Sequence, residues 1–196
     1  MAYRIDGIIG EGNCTAQAVA AHLEANPDHA EMVFNSPGGI ATEGAAIKAE
    51  LEMHGNVTAY VRGLAASAAS LAVMGAKRIV MSESAFIMIH DPSAMTIGTA
   101  KQHRDSAETL DKMSATYAAA YASATGNSVK FISELMSAET WLNAEDALAL
   151  RFIDEIEKAE PVAMAAFDPT MFRHPPEQLL RQWRAIEQKK EADSAA

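Results

Sequence analysis

Positive charge is in short supply. The chain sets 16 Lys and Arg against 26 Asp and Glu, a formal net charge of -10 over 196 residues. Nucleic acid and anionic membranes reward clustered Lys and Arg, so this balance argues against both as partners. Cysteine is scarcer still: Cys14 stands alone, cannot close an internal disulfide, and belongs to no metal-ligand cluster. The start, Met-Ala-Tyr-Arg-Ile-Asp, lacks the long apolar core of a signal peptide. No uninterrupted apolar run approaches the roughly 20 residues that cross a bilayer; residues 64–73 come nearest and are short and rich in Ala and Ser. These absences predict a soluble, cytoplasmic chain without metal or organic cofactor. What is abundant is apolar character, at 49%. That is enough for one substantial core, with little room for a second full domain.

Residues 3–9 alternate loosely and end at Gly10-Glu11-Gly12, which predicts a strand running into a turn. Thr15 opens a helical pattern through Ala16, Val19, Ala20 and Leu23, stopped at Asn26-Pro27-Asp28, where proline opposes continuation. Met32-Val33-Phe34 reads as a short buried strand entering a tight loop at Asn35-Ser36-Pro37-Gly38-Gly39. Helical spacing returns over residues 42–54 with Gly55 as the cap, and the β-rich residues 57–61 lead into Gly63. This alternation implies parallel pairing through crossovers, which gathers the loops after the strands along one edge. Residues 66–76 then read as a short helix of small side chains, and residues 78–81 and 85–89 as strands, the second ending at His90. Residues 99–125 make one long amphipathic helix, with Leu110, Met113, Tyr117 and Tyr121 near helical repeats. Two further helices follow, one through Phe131 and Met136 and one capped by Asn143, and the core is expected to close near Ile156. Beyond Lys158, Pro161, Pro169, Pro175 and Pro176 mark a linker. Residues 177–190, with Leu179, Leu180, Trp183 and Ile186, predict a helix outside the main core.

Three of the loops on that edge carry candidate chemistry. Ser67 lies among Ala65, Ala66, Ala68 and Ala69, small neighbours that leave room for a substrate backbone but equally suit close helix packing. A serine hydroxyl is a weak nucleophile unless a base takes its proton, a third group orients that base, and donors hold the oxyanion. Ser70 competes with it, yet lies nearly a helical turn further in, where its hydroxyl is expected to bond backbone. His90 ends an apolar strand and is the best base available, although a histidine at a strand end is often structural. The other five, His22, His29, His54, His103 and His174, fall on predicted helices or in polar loops. Residues 35–39 offer backbone N–H groups near a helix start, and their paired glycines allow positive φ and the close approach of a carbonyl. An ordinary tight turn has the same composition. Each signal is weak alone, but three in successive loops on one edge make coincidence the poorer explanation.

Four blocks agree in order and spacing with one family: Phe34-Asn35-Ser36-Pro37-Gly38-Gly39, Gly63-Leu64-Ala65-Ala66-Ser67, Met88-Ile89-His90-Asp91-Pro92, and Glu139 to Ala147 running on to Phe152-Ile153-Asp154. Over residues 3–156 the chain resembles the Clp protease proteolytic subunit family, most of all its phage-type branch of head maturation proteases. The resemblance implies an α/β fold of the ClpP/crotonase type, a spiral of β-β-α units with a protruding handle helix. It implies a serine peptidase domain over residues 1–158, followed by a linker and helical extension over residues 159–196. It further implies a serine endopeptidase with Ser67 as nucleophile, His90 as base, and the backbone N–H groups of Gly39 and Ala68 as oxyanion hole. Glu139 stands where the main branch has an aspartate, and a glutamate can orient an imidazole from a different approach. Asp91 adjoins His90, but neighbouring strand residues point to opposite faces; Asp146 and Asp154 are the runners-up.

The same resemblance shapes expectations about partners. Main-branch members resemble barrels whose N-terminal segment meets a ring ATPase; this sequence begins almost at its first strand, so neither docking nor stimulation by an ATPase is expected. Residues 91–98 replace a glycine-rich substrate-pairing strand, and a shorter edge there can still add a peptide by β-augmentation. Residues 99–125 match the handle that joins ring to ring, which predicts a ring-based homo-oligomer with the handle's exposed apolar residues at the contact. The substrate is a polypeptide, with capsid or scaffold proteins implied by the phage-type likeness, in a host cytoplasm or procapsid. Other readings stay open. A crotonase-type acyl-CoA enzyme shares the spiral and the paired donors but works with carboxylates, a Ser/Lys peptidase needs Lys77 or Lys101 at Ser67, and a catalytically silent ring or scaffold subunit would use the Pro-containing tail to bind.

Overall fold

A computed structural model describes residues 2–158 and 168–194. In chain order the elements are β1 (Tyr3–Ile9), α1 (Ala16–Glu24), β2 (Ala30–Gly39), α2 (Ala41–His54), β3 (Val57–Ala66), α3 (Ala68–Val73), β4 (Arg78–Ser82), β5 (Phe86–Ile89), α4 (Ala100–Thr125), α5 (Val129–Ser137), β6 (Thr140–Leu142), α6 (Ala144–Ala149), β7 (Glu155–Glu157) and α7 (Glu177–Ser194). The helix starts follow their side-chain caps: Thr15 accepts from the Ala18 N–H, Ser128 from Phe131 and Asn143 from Asp146, satisfying donors that the first turn leaves open. Thr99 and Gln102 form a full capping box ahead of α4, and Gly55 and Gly126 close α2 and α4 in the left-handed conformation.

Strands β1, β2, β3, β4 and β7 lie side by side in that order, all parallel. The sheet forks at β3. Thr58 to Val61 pair with β4, while Leu64 to Ala66 pair with β5, so the far end of β3 has β5 as its neighbour. Strand β6 then runs antiparallel to β5, with Ile89 opposite Thr140. The result is the expected mixed α/β fold around a parallel sheet. Its core is one continuous cluster from Ile5 and Phe34 through Leu51, Met81 and Ile87 to Tyr121 and Phe152.

Three features differ from the sequence reading. Residues 35–39, expected as a loop, continue β2; the ladder to β3 is broken by an irregularity between Phe34 and Ser36, which accommodates the Pro and Gly residues. Strands β6 and β7 were not anticipated, because three residues are too few to show an alternation. The apolar residues of the long helix are not exposed: Tyr117 and Tyr121 are buried and Leu110 and Met113 half-buried, while Met95 and Ile97 in the preceding loop are 94% and 93% exposed. The expected extension after the linker has buried contacts of its own. Residues 159–167, including Pro161, lie outside the described residues, but Phe172 is buried with Leu64, Ala66 and Met88, and Leu179 is buried in α7. No helix among the described residues is long and apolar enough to cross a membrane.

Candidate active site

Sheet topology brings three chain positions together. Ser67 directly follows β3, His90 directly follows β5 beside it, and Glu139 directly precedes β6, whose antiparallel direction puts its first residue opposite the end of β5. His90 Nε2 lies 2.8 Å from Ser67 Oγ. All three residues line one cleft of about 620 Å³, together with Gly38, Gly39 and Phe172.

Ser67 holds a backbone conformation that L-residues rarely adopt, φ 54° and ψ -125°, at the turn into α3. Such strain of about 1–3 kcal/mol persists only where the surroundings fix it. Here the Ser67 N–H donates to the Met88 carbonyl at 2.9 Å, and the Ser67 carbonyl accepts from the N–H groups of Ser70 and Leu71. Opposite the serine, Gly38 leaves no space for a side chain: a Cβ there would stand 2.6 Å from Ser67 Cβ, 2.7 Å from the Ala66 carbonyl oxygen and 3.1 Å from Ala68 N. Ser36 braces this stretch, its Oγ donating to the Gly7 carbonyl at 2.5 Å and accepting from the Gly38 N–H at 3.1 Å. As the first residue of α3, Ala68 has an N–H that no earlier turn of the helix can accept.

Burial depresses the His90 pKa below its ordinary 6.5; the Glu139 and Asp91 charges oppose that shift and the Arg173 charge adds to it. A neutral imidazole with Nε2 facing a hydroxyl can take its proton, which leaves Nδ1 carrying the ring hydrogen. Glu139 is 5% exposed and also at positive φ, 53°. Its carboxylate does not bond the ring. Oε1 accepts from the His174 N–H at 2.7 Å, and Oε2 lies 3.9 Å from Arg173 Nε. Phe172 packs edge-on against both His90 and Trp141, with ring centroids 6.1 Å and 5.3 Å apart.

Of the other acids, Asp91 accepts from Ser114 at 2.5 Å and from Ser137 at 2.9 Å, tying α4 to α5. Asp154 accepts from the Ile79 N–H and lines a different cavity, and Asp146 lies in the first turn of α6, outside the cleft. Lys77 faces Asn56 and Lys101 pairs with Asp105, so neither reaches Ser67. Among the described residues no group of three His, Cys, Asp or Glu side chains is placed to hold a metal. Cys14 is buried, and that burial, then the Asp6 charge, raises its thiol pKa. The arrangement suits acyl transfer: a hydroxyl with a base in contact, the first N–H of α3 beside it, and a carboxylate within electrostatic reach of the base.

Residues 11–160 match the family model described as Clp protease. The chain belongs to the Clp protease family. It is 30% identical over 156 residues to the ATP-dependent Clp protease proteolytic subunit 3 of Rhodococcus jostii, covering 78% of this chain and 76% of that protein. It is 33% identical over 130 residues to the ATP-dependent Clp protease proteolytic subunit 1 of Protochlamydia amoebophila, covering 64% and 63%. Its fold is similar to that of a ClpP1 mutant from Listeria monocytogenes, with a TM-score of 0.71 and 22% identity over 81% of this chain and 91% of the other. This Clp protease family member thus has the ClpP-like fold and belongs to a family of peptidases that act on polypeptides. Sequence reading missed the part of the cleft built by residues 171–173, which lie beyond the matched region. The available signal was Phe172, a large aromatic inside a Pro-rich, polar stretch.

Proposed function

We propose that this chain is a serine endopeptidase acting through an acyl-enzyme. Ser67 Oγ attacks the scissile carbonyl carbon while His90 Nε2 takes the hydroxyl proton. The N–H groups of Gly39 and Ala68 donate to the oxygen that gains charge. His90 then passes its proton to the leaving amine, and the C–N bond breaks. Water, deprotonated by His90, attacks the acyl-enzyme and releases Ser67 with the second product. Glu139 is the carboxylate that stabilises the imidazolium, acting through its charge and, once its bond to His174 is exchanged, through Nδ1–H.

The observation that carries the reading is the 2.8 Å contact between His90 Nε2 and Ser67 Oγ at a serine held at φ 54°. No step from Ser67 needs a nucleotide, so short peptides are cleaved without ATP. A ring-based homo-oligomer joined through α4 and capsid or scaffold polypeptides as substrates complete the proposal, both resting on likeness to the phage-type branch. A second reading, a silent ring subunit, draws on the Glu139 carboxylate being bonded to His174 rather than to His90.

The test is the intact mass of the purified protein after exposure to a small fluorophosphonate, with Ser67→Ala and His90→Ala in parallel. One adduct, mapped to Ser67 and lost in both variants, is the expected result. An assembled protein that takes no adduct is a silent subunit or an acyl binder.

A further inference from the structure

Ser70, the competitor of Ser67 in the sequence, is fully buried and makes three contacts through one oxygen. Ser70 Oγ lies 2.7 Å from the Ser67 carbonyl oxygen, 2.8 Å from the Met88 carbonyl oxygen and 2.7 Å from the Tyr121 hydroxyl. Proton accounting fixes the direction of each bond. Both carbonyls can only accept, so the single Ser70 proton serves the two of them. Were it turned to Tyr121 instead, Ser70 lone pairs would face two carbonyl oxygens at hydrogen-bond distance. The hydrogen between the two hydroxyls is therefore supplied by Tyr121, which is 3% exposed. Burial raises the phenol pKa well above its ordinary value, so this donor stays protonated at any working pH.

The two carbonyls are not arbitrary. One belongs to the strained nucleophile itself. The other, on Met88, also accepts the Ser67 N–H and stands on the strand that ends at His90. Tyr121 comes from the buried half of α4, where its ring packs against Phe152 with centroids 5.9 Å apart. We propose that Ser70 and Tyr121 are positioning residues for the nucleophile, the Tyr121 hydroxyl fixing Ser70 so that it clasps the peptide of Ser67 to the strand that carries the base. The inference rests on Ser67 being the nucleophile. It adds that the long helix contributes, through one hydroxyl, to the alignment of the serine.

Tyr121→Phe removes the donor and keeps the ring, and Ser70→Ala removes the clasp itself. Fluorophosphonate labelling separates alignment from folding, because misalignment lowers the rate constant whereas partial unfolding lowers the fraction that labels. The expected result for Tyr121→Phe is a labelling rate and a kcat about tenfold lower, the effect of one buried hydrogen bond, at full labelling amplitude and unchanged KM. Ser70→Ala should lower both further, and adding Tyr121→Phe to it should cost nothing more, since both changes cut one connection. The pH profile should stay put, as His90 is untouched. An adduct at Ser67 forming as fast in Tyr121→Phe as in the unsubstituted protein, or a loss confined to amplitude, overturns this proposal alone. Absence of any Ser67 adduct in the unsubstituted protein overturns the serine reading and this proposal with it.

Discussion

Ser67 and Glu139 flank His90 and share a feature, positive φ angles of 54° and 53°, but their surroundings hold them in different ways. The serine's own N–H and carbonyl are tied to Met88, Ser70 and Leu71, all within the sheet and the helix that follows it. The acid's carboxylate is held by the backbone of His174, 35 residues downstream, beside an Arg173 side chain that is 69% exposed. Geometry at the proposed nucleophile is therefore a property of the fold. Geometry at the proposed acid depends on the segment that covers it, which makes Glu139 the adjustable member of the proposed site. Positive φ alone marks neither role, since Arg151 has it too at 60° and lies outside the cleft, reaching the Gly126 carbonyl.

Changes on the serine side should cost most. Ser67→Ala is expected to lower kcat by about 10⁴-fold or more with little change in KM or in thermal unfolding, as losing a nucleophile does elsewhere. Gly38→Ala drives a methyl group into Ser67 and the Ala66 carbonyl. A drop of about 10²-fold in kcat, matching the loss of one oxyanion donor, is the expected outcome in steady-state peptide cleavage. On the acid side Glu139→Gln should cost less, about 10- to 100-fold in kcat/KM, because the carboxylate is not bonded to the ring. A loss as large as that of Ser67→Ala would show that the acid is as firmly committed as the serine and would erase the contrast.

The smallest effects are shifts in pH dependence. As the proposed base His90 must be neutral, and burial lowers its pKa from 6.5, so kcat/KM should rise with pH through a midpoint below that value. Removing the Glu139 charge deprives the imidazolium of support and moves that midpoint lower still. Arg173→Gln removes an opposing charge and moves it higher, with the plateau changed by no more than about threefold, as suits a largely exposed ion pair. Profiles of kcat/KM for the three proteins check the order; a midpoint unmoved by Arg173→Gln would uncouple the covering segment from the base.

Much of the serine side was legible in the sequence because each of its parts sits in a short contiguous motif. Ser67, His90 and the Gly38-Gly39 pair each follow or end an apolar run, and parallel alternation predicts that such ends share an edge. The acid side was legible only by likeness. Glu139 arrives through a three-residue antiparallel strand, and so short a segment carries no period to read. Residues 35–39 misled in the opposite direction, since Pro and Gly signal a loop unless an irregular ladder absorbs them, as β2 does. The Ser70 and Tyr121 hydroxyls lie 51 residues apart, and only the docking of α4 on α3 shows that they meet.

Sequence separation also governs when the molecule becomes whole during synthesis. Strand β7 pairs with β4, and Asp154 accepts the Ile79 N–H across 75 residues while Glu157 binds Arg62 across 95. On the ribosome β4 therefore gains its β7 neighbour only after residues 155–157 have emerged, later in synthesis than Ser67 and His90. Nor can the serine be fully clasped before Tyr121 is available. On the proposed reading, a chain ending before Tyr121 carries Ser67 and His90 without the hydroxyl and the later strands that hold them, and is expected to be inert.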